Sequence, residues 1–553
     1  MPPPATGPFS MQVMQELFTN HELLAREAAR PRFAPESGVR RVGILGGGTA
    51  GWLTALSLRA QLPWLDVTLI ESTKIPIIGV GEATVPSFVS FLHHYAKLDV
   101  HAFTREVQPT WKQGIRFEWG LPGNYAFQAP FDWDVNGIGM LGSMAETGDV
   151  SSFTVQALLM ARDVAPVLRE KGQLHSYLPL FSFAYHLDNP RLVRHLGREA
   201  IARGVHHVDA EIAEARLAGA SADGEPEIAC LVTKDGQELA FDLYVDCSGF
   251  RSTLLEKTLG VPFSSYASTL FTDRAVAFNA PHGGKLKPYT TARTMEHGWC
   301  WNIPMIESDH LGYVYSSAHA SDDDALAEAK RLWPELTNER VVRFRSGRHE
   351  RLWVGNVFAI GNAYAFVEPL ESTGLLMTTR AITSLVRAFP LGGDQAAVKR
   401  FVNETVGRDW DRLRWFLAAH YKFNRKLDTK FWVDVRERCD ASGLEPALEI
   451  FRAMGPLSLL PRAVRTSVTD VAQVYFYGIA ALDCILMGQK VPYPKLTREP
   501  PDVWRARRQK AVEFARRAVP QAEALRATWG RPAWLDELVN HPSSWVTRAV
   551  PYL

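Results

Sequence analysis

The chain has 553 residues, 46% of them hydrophobic and 22% charged, the balance of a globular protein with a large core. Lys plus Arg number 61 and Asp plus Glu 60, so the net charge of +1 implies neither a nucleic acid nor another polyanionic partner. Five cysteines (Cys230, Cys247, Cys300, Cys439 and Cys484) lie far apart with no CxxC pair, which excludes a disulfide or zinc framework and any metal site built on them.

Residues 1–39 read as an extension, with apolar residues at helical spacing between Met11 and Ala29. No continuous apolar secretory segment is visible, and the longest apolar run, Tyr475 to Met487, is short and contains Asp483. A soluble cytoplasmic protein without a membrane span is therefore expected. Residues 40–390 are expected to form one core with inserted elements, and residues 391–553 a mostly helical region.

The core opens with the apolar strand Val42-Gly43-Ile44-Leu45, then Gly46-Gly47-Gly48-Thr49-Ala50-Gly51 and a helix from Trp52. A second strand, Val67-Thr68-Leu69-Ile70, ends on Glu71. Strand, glycine loop, helix, strand and acid in this register predict a dinucleotide site. Gly46 makes the turn, Gly48 admits a pyrophosphate near backbone amides, and Gly51 packs helix on strand. The phosphates sit at the helix N-terminus, and Glu71 accepts from a ribose hydroxyl. The next stretch, Ser72 to Pro86, is broken by Gly79, Gly81 and two prolines, so it reads as an ordered loop over the cofactor.

Between Pro86 and Asn136 the chain is rich in aromatics, including Trp111, Phe117, Trp119, Phe127 and Phe131, which serve either as core or as walls for a flat substrate. Gly137 to Gly142 also spells GxGxxG, but Asp132 to Asn136 is no buried strand and no acid-ended strand follows. That segment reads as a loop, so no second site for a nicotinamide cofactor is evident. A helix is expected over Leu192–Arg203 and strands at 207–208, 228–231 and 243–245, the last running into Asp246-Cys247-Ser248-Gly249. Ser321 caps a helix with an acidic first turn. The strand Val354–Ile360 leads into Gly361-Asn362-Ala363, then Glu368-Pro369-Leu370-Glu371-Ser372-Thr373-Gly374 and another helix. The basic residues between Arg505 and Arg517 are interrupted by Glu513 and read as a solvated face.

Four spaced motifs resemble the flavin-dependent halogenases, the group typified by the tryptophan halogenases: the glycine loop, the Lys74-to-Thr84 segment, Trp299-Cys300-Trp301-Asn302-Ile303-Pro304, and the Pro369-to-Gly374 loop. The resemblance covers roughly residues 40–490. It implies an α/β fold, with a glutathione-reductase-like, Rossmann-type FAD-binding core, an inserted substrate region and a mostly helical C-terminal region. FAD would meet Gly46, Gly48, Thr49, Ala50, Gly51, Glu71, Gly79, Ala83, Asp246, Gly361, Asn362 and Leu370. It further implies Lys74 as the catalytic lysine and Glu371 as its acid–base partner. Halide would sit on the amides of Thr373 and Gly374, behind an apolar wall of Trp299, Trp301, Ile303 and Pro304. Reduced FAD from a separate flavin reductase, dioxygen and chloride or bromide would yield hypohalous acid, relayed to the lysine for electrophilic halogenation of an electron-rich aromatic.

For the substrate, the segment from His420 to Trp432 is matched to the family's amino-acid-binding segment, with Tyr421, Phe431 and Trp432 expected in the pocket. There His420 replaces a tyrosine, Leu427 an ammonium-binding acid and Arg436 an asparagine. This predicts indole or an indole derivative in preference to free tryptophan, since a buried ammonium without its acid costs several kcal/mol. Two alternatives stand beside this reading: an FAD-dependent aromatic hydroxylase, and a non-enzymatic flavin-binding redox protein. A homodimer is open to the chain.

Overall fold

The computed structural model describes residues 38–75, 81–132, 140–220, 224–389, 395–461, 478–494 and 499–548. The expected N-terminal helix, Gly79, and part of the second glycine motif lie outside them. The dinucleotide unit forms as the sequence predicts. Arg41–Leu45 pairs in parallel with Asp66–Glu71 on one side and Leu243–Asp246 on the other. His206–Asp209 extends the sheet beyond Asp66–Glu71, and Val357–Ala359 extends it beyond Leu243–Asp246. Val42, Ile44, Val67 and Leu69 are fully buried, as expected of strands covered on both faces. The helix Thr49–Gln61 crosses the sheet and packs against the helix Asn189–Ala202, with the Trp52 ring lying over Gly197.

A seven-stranded sheet forms the second layer. It runs in the order Thr337–Arg343, Arg274–Ala280, Asp309–Tyr315, Gly298–Pro304, Thr290–Met295, Gly114–Glu118 and Phe127–Pro130. A separate small sheet pairs Glu82–Ala83, Ala184–Leu187 and Thr110–Lys112, with Lys112 and His186 fully buried on it. The C-terminal part is mostly helical, led by the 29-residue helix Gln395–Phe423. All five cysteines are free and buried. Among the described residues no helix is long and apolar enough to cross a membrane. Ser321 forms the expected capping box with Asp324 on the helix Asp322–Leu332.

Gly51 shows why the first loop requires glycine. A Cβ at that position would lie 1.8 Å from the Gly46 carbonyl oxygen, a backbone atom that cannot swing away. Gly51→Ala should therefore lower unfolding free energy by about 1–3 kcal/mol. Denaturant unfolding of the variant beside the parent checks this, and an unchanged midpoint would contradict it.

Candidate active site

The dinucleotide cradle is assembled from loops that the sheet holds in place. Gly46 has φ +121 and its amide donates to the Ile70 carbonyl, locking the turn against the second strand. Nothing lies within 4 Å of a Cβ built on Gly48, so the loop leaves space where a pyrophosphate would approach. The helix Thr49–Gln61 begins there, and its first amides have no intrahelical acceptor. Glu71 ends its strand beside Gly47, holds His207 at 3.1 Å, and has its acidity weakened chiefly by burial. At the third edge, Gly361 with φ +68 lies against Ala50, and Asn362 is exposed. This geometry fits a bound FAD, with the phosphates at the glycine loop and the ribityl side at Asn362.

Asp246 departs from expectation. Its carboxylate is fully buried and accepts from the amides of Ser248, Leu254 and Leu255 and from the Ser248 hydroxyl, at 2.6–3.0 Å. It fixes the turn and helix after its strand, and that fourfold use replaces the cofactor contact expected of it.

A second correction concerns the lysine. Lys74 is exposed, and the carboxylates its charge acts on are Asp209 and Glu211 at the protein surface. The lysine whose charge Glu371 favours is Lys112, on the Thr110–Lys112 strand and 0% exposed. Its Nζ donates to the Thr84 carbonyl at 2.9 Å and to the Ser372 hydroxyl at 2.7 Å, and lies 5.4 Å from the centre of the Phe131 ring. Burial lowers the Lys112 amine to about 7, against the opposing pull of Glu371. Behind it stands His186, held between Thr110 and Thr290 and kept neutral by burial and by Lys112. One sequence signal could have identified Lys112: a lysine set among aromatic and apolar neighbours, between Trp111 and the Gly114–Glu118 strand with its Ile115 and Phe117.

The loop before the helix Gly374–Ala388 joins the two regions. Ser372 has φ +59, an uncommon conformation for a residue with a side chain, and turns its hydroxyl to Lys112. Next to it Thr373 is 0% exposed with no partner for its hydroxyl, and Gly374 is open with nothing near a Cβ. An unpartnered hydroxyl beside the first amides of a 15-residue helix is suited to a small anion. Glu371 faces the other way and meets His420 Nε2 at 2.6 Å.

The Trp299/Trp301 pair occupies the Gly298–Pro304 strand of the large sheet, both rings buried with centroids 6.1 Å apart. Ile303 and Pro304 are buried on the same strand, and the Pro304 carbonyl accepts from Thr110. The Trp301 indole N–H lacks a partner, whereas the Trp299 N–H is directed at the Glu368 and Tyr421 pair. Close by, Glu368 is fully buried and accepts hydrogen bonds from the hydroxyls of Thr272 and Tyr421. Burial, partly offset by these hydrogen bonds, raises the Glu368 carboxyl to about 7. Leu370 is buried in the core and Ala83 half-buried in the small sheet.

The expected substrate slot at Tyr421, Phe431 and Trp432 is not there. Tyr421 and Trp432 stack on one another at 5.7 Å, Phe431 packs edge-on to Trp432 at 5.0 Å, and Trp119 closes the cluster. The Trp432 indole N–H already serves the Met295 carbonyl. Arg436 is likewise engaged, by Asp428 and the carbonyls of Asn424 and Leu427. These residues are core, and the wall that does face Lys112 is Phe131.

Comparison with known proteins agrees with this architecture. A family model described as "Tryptophan halogenase" matches residues 41–525. The tryptophan 6-halogenase ThaL of Streptomyces albogriseolus is 32% identical over 514 residues, covering 84% of this chain and 93% of that protein. The crystal structure of MibH, described as a lanthipeptide tryptophan 5-halogenase, superimposes with a TM-score of 0.88. Its sequence identity is 51%, over 93% of this chain and 98% of that one. The tryptophan 6-halogenase SttH of Streptomyces toxytricini follows with a TM-score of 0.78 and 30% identity, over 88% and 99%.

The buried amine makes a prediction of its own. Lys112 binds its proton more weakly folded than unfolded, so folding is penalised near neutrality, and the penalty fades as pH rises from about 7 toward 10.5. Lys112→Met should therefore be more stable than the parent at pH 7, by on the order of a few kcal/mol, with the gain shrinking toward pH 10. Thermal unfolding across that range measures it; a variant less stable at pH 7 would contradict the account.

Proposed function

The chain belongs to the tryptophan halogenase family of flavin-dependent enzymes, and from that premise we propose that Lys112 and Glu371 carry out its halogenation chemistry. The carrying observation is the amine of Lys112, sealed from solvent and hydrogen-bonded to Ser372 between Glu371 and the Thr373 helix start.

Gly46–Gly51, Glu71 and Asn362 would hold reduced FAD, which when bound would activate dioxygen, the oxidant that converts halide to hypohalous acid. The chain's own residues do the rest. Thr373 and Gly374 hold chloride or bromide at the helix N-terminus. Trp299 and Trp301 provide apolar bulk that keeps an organic ring away from the flavin. Ser372 leads from the halide position to Lys112, whose amine receives the electrophilic halogen. An aromatic ring beside Phe131 is attacked there, and Glu371 takes the proton released from the ring.

Three features favour halogenation over hydroxylation or a redox-sensing role: the family match, the paired tryptophans and the secluded lysine. A separate reductase would supply the reduced flavin, since the sequence around Gly137–Gly142 lacks the strands of a second dinucleotide site. The indole is presented within a larger molecule, a tryptophan-containing peptide, in preference to free tryptophan. Support for this comes from the 51% identity to a lanthipeptide halogenase, against about 30% to relatives named for tryptophan itself.

Lys112→Ala and Glu371→Gln should each lower product formation by at least a hundredfold while FAD still binds, and Lys74→Ala should retain parental activity. Mass spectrometry of products with bromide and chloride reads the outcome. Loss of activity in Lys74→Ala together with retention in Lys112→Ala would overturn the assignment. With a tryptophan-containing peptide and free tryptophan compared side by side, faster turnover of the free amino acid would remove the substrate reading.

A further inference from the structure

His420 lies on the helix Gln395–Phe423, 0% exposed, between the rings of Phe117 and Phe416 at 5.3 and 5.1 Å. Its two ring nitrogens have different neighbours. Nδ1 lies 3.0 Å from the Phe416 carbonyl oxygen, which can only accept, so Nδ1 carries a hydrogen. A neutral imidazole has one N–H, which leaves Nε2 with a lone pair. Yet Nε2 lies 2.6 Å from Glu371 Oε1, closer than two lone pairs tolerate. A proton must lie between them. The pair therefore holds one proton beyond a neutral histidine and an ionised glutamate, formally an imidazolium and a carboxylate. Rotating the ring over would set a carbon against the Phe416 carbonyl and forfeit both hydrogen bonds.

We propose that His420 is the standing counter-ion of Glu371, sharing one proton with it, and that this lets the Lys112 amine be neutral when it meets the electrophilic halogen. This rests on the Lys112–Glu371 reading of the site. Without His420, the partly buried Glu371 carboxylate would draw its balancing charge from Lys112, and an ammonium has no lone pair to offer. With it, the three groups sum to zero charge with the amine unprotonated. Lys112 donates to Thr84 and Ser372, and two donors are what a neutral amine possesses. The nitrogen lone pair forms the bond to halogen as the halogen–oxygen bond of hypohalous acid breaks. The departing hydroxide leaves as water with the proton the nitrogen sheds. When the ring takes the halogen, the nitrogen–halogen bond breaks and its electron pair returns to nitrogen. The ring proton passes through Glu371 to that nitrogen, restoring the amine.

His420 touches neither substrate nor halide and acts through Glu371, so it is a positioning residue. The other titratable groups around the pair are Lys112 on its strand, Glu368 on the same loop as Glu371, Cys484 on the helix Ile479–Gly488, and His186 behind Lys112. The Cys484 thiol and the His186 imidazole are both held neutral by burial, whereas Glu368 and Lys112 titrate near 7.

The test uses the full chain with nitrogen-15-labelled histidine, with no cofactor or substrate added, and His420→Gln to assign the ring signals. At pH 7 the His420 nitrogens should both show protonated shifts, reverting to a neutral ring in Glu371→Gln. A neutral His420 in the parent at pH 7 would overturn the proposal. In the holoenzyme, His420→Gln should lower kcat at least tenfold, leave KM within twofold, and move the rising limb of the kcat–pH profile up by one unit or more. A limb that stays in place would equally sink it. Should His420→Gln fail to fold, the comparison of parent and Glu371→Gln spectra still decides the proton count. Activity surviving in Lys112→Ala would count against the functional reading and leave that proton count untouched.

Discussion

The burial of one amine constrains the whole arrangement. Lys112 sits with no solvent contact, tied to a carbonyl 28 residues away and a hydroxyl 260 residues away. Keeping a lysine there works against stability, because burial disfavours its charged form. Two separate elements must meet for the amine to have partners at all: the small sheet, which carries Lys112 on one strand and Thr84 just after another, and the loop before Gly374. The positive φ of Ser372 belongs to the same requirement, since it aims the hydroxyl at the amine while letting Thr373 begin the helix. Local backbone cost at a functional turn is a familiar companion of such precision.

The loop from Glu368 to Gly374 divides the labour. Glu368 turns into the core and takes the hydroxyls of Thr272 and Tyr421, a fully buried acid anchoring the loop. Ser372 faces the lysine and Glu371 faces His420, while Gly374 faces open space beside the Gly361–Ala50 edge of the dinucleotide cradle. Seven residues thus connect the core, the amine and the cofactor cleft. A helix N-terminus at the junction gives an anion a place to sit without a charged side chain. Burying the indoles of Trp299 and Trp301 beside this loop adds stiffness, because rings packed on a central strand of a seven-stranded sheet have little room to move.

Aromatic residues mislead when read from sequence, and the C-terminal half shows why. Phe431, Trp432 and Tyr421 have the composition of a flat-ligand slot, but they fill one another's contact surface and the Trp432 N–H is already satisfied. A slot and a packed cluster share the same residue types, and only the distances between rings tell them apart. His420 misled in the opposite direction: taken from sequence as a tyrosine replacement, it is instead the partner of Glu371.

The sequence alone carried whatever chemistry is local. The glycine loop, its acid-ended strand and the Pro369-to-Gly374 loop work through backbone turns and helix ends, and those depend on residues within a few positions of each other. They appear in the fold where their spacing puts them. The mostly helical C-terminal region and the free cysteines were legible for the same reason. Which lysine does the work was decided only by tertiary structure. In one dimension the family-like segment at Lys74 outweighs the weaker signal of Lys112 among its apolar neighbours. An amine becomes buried, neutralised and aimed only when distant segments enclose it, and Lys112 gains that environment from Thr84, Phe131, Glu371 and Ser372. Spacing along a chain records none of those contacts, because desolvation is a property of what surrounds a group in space.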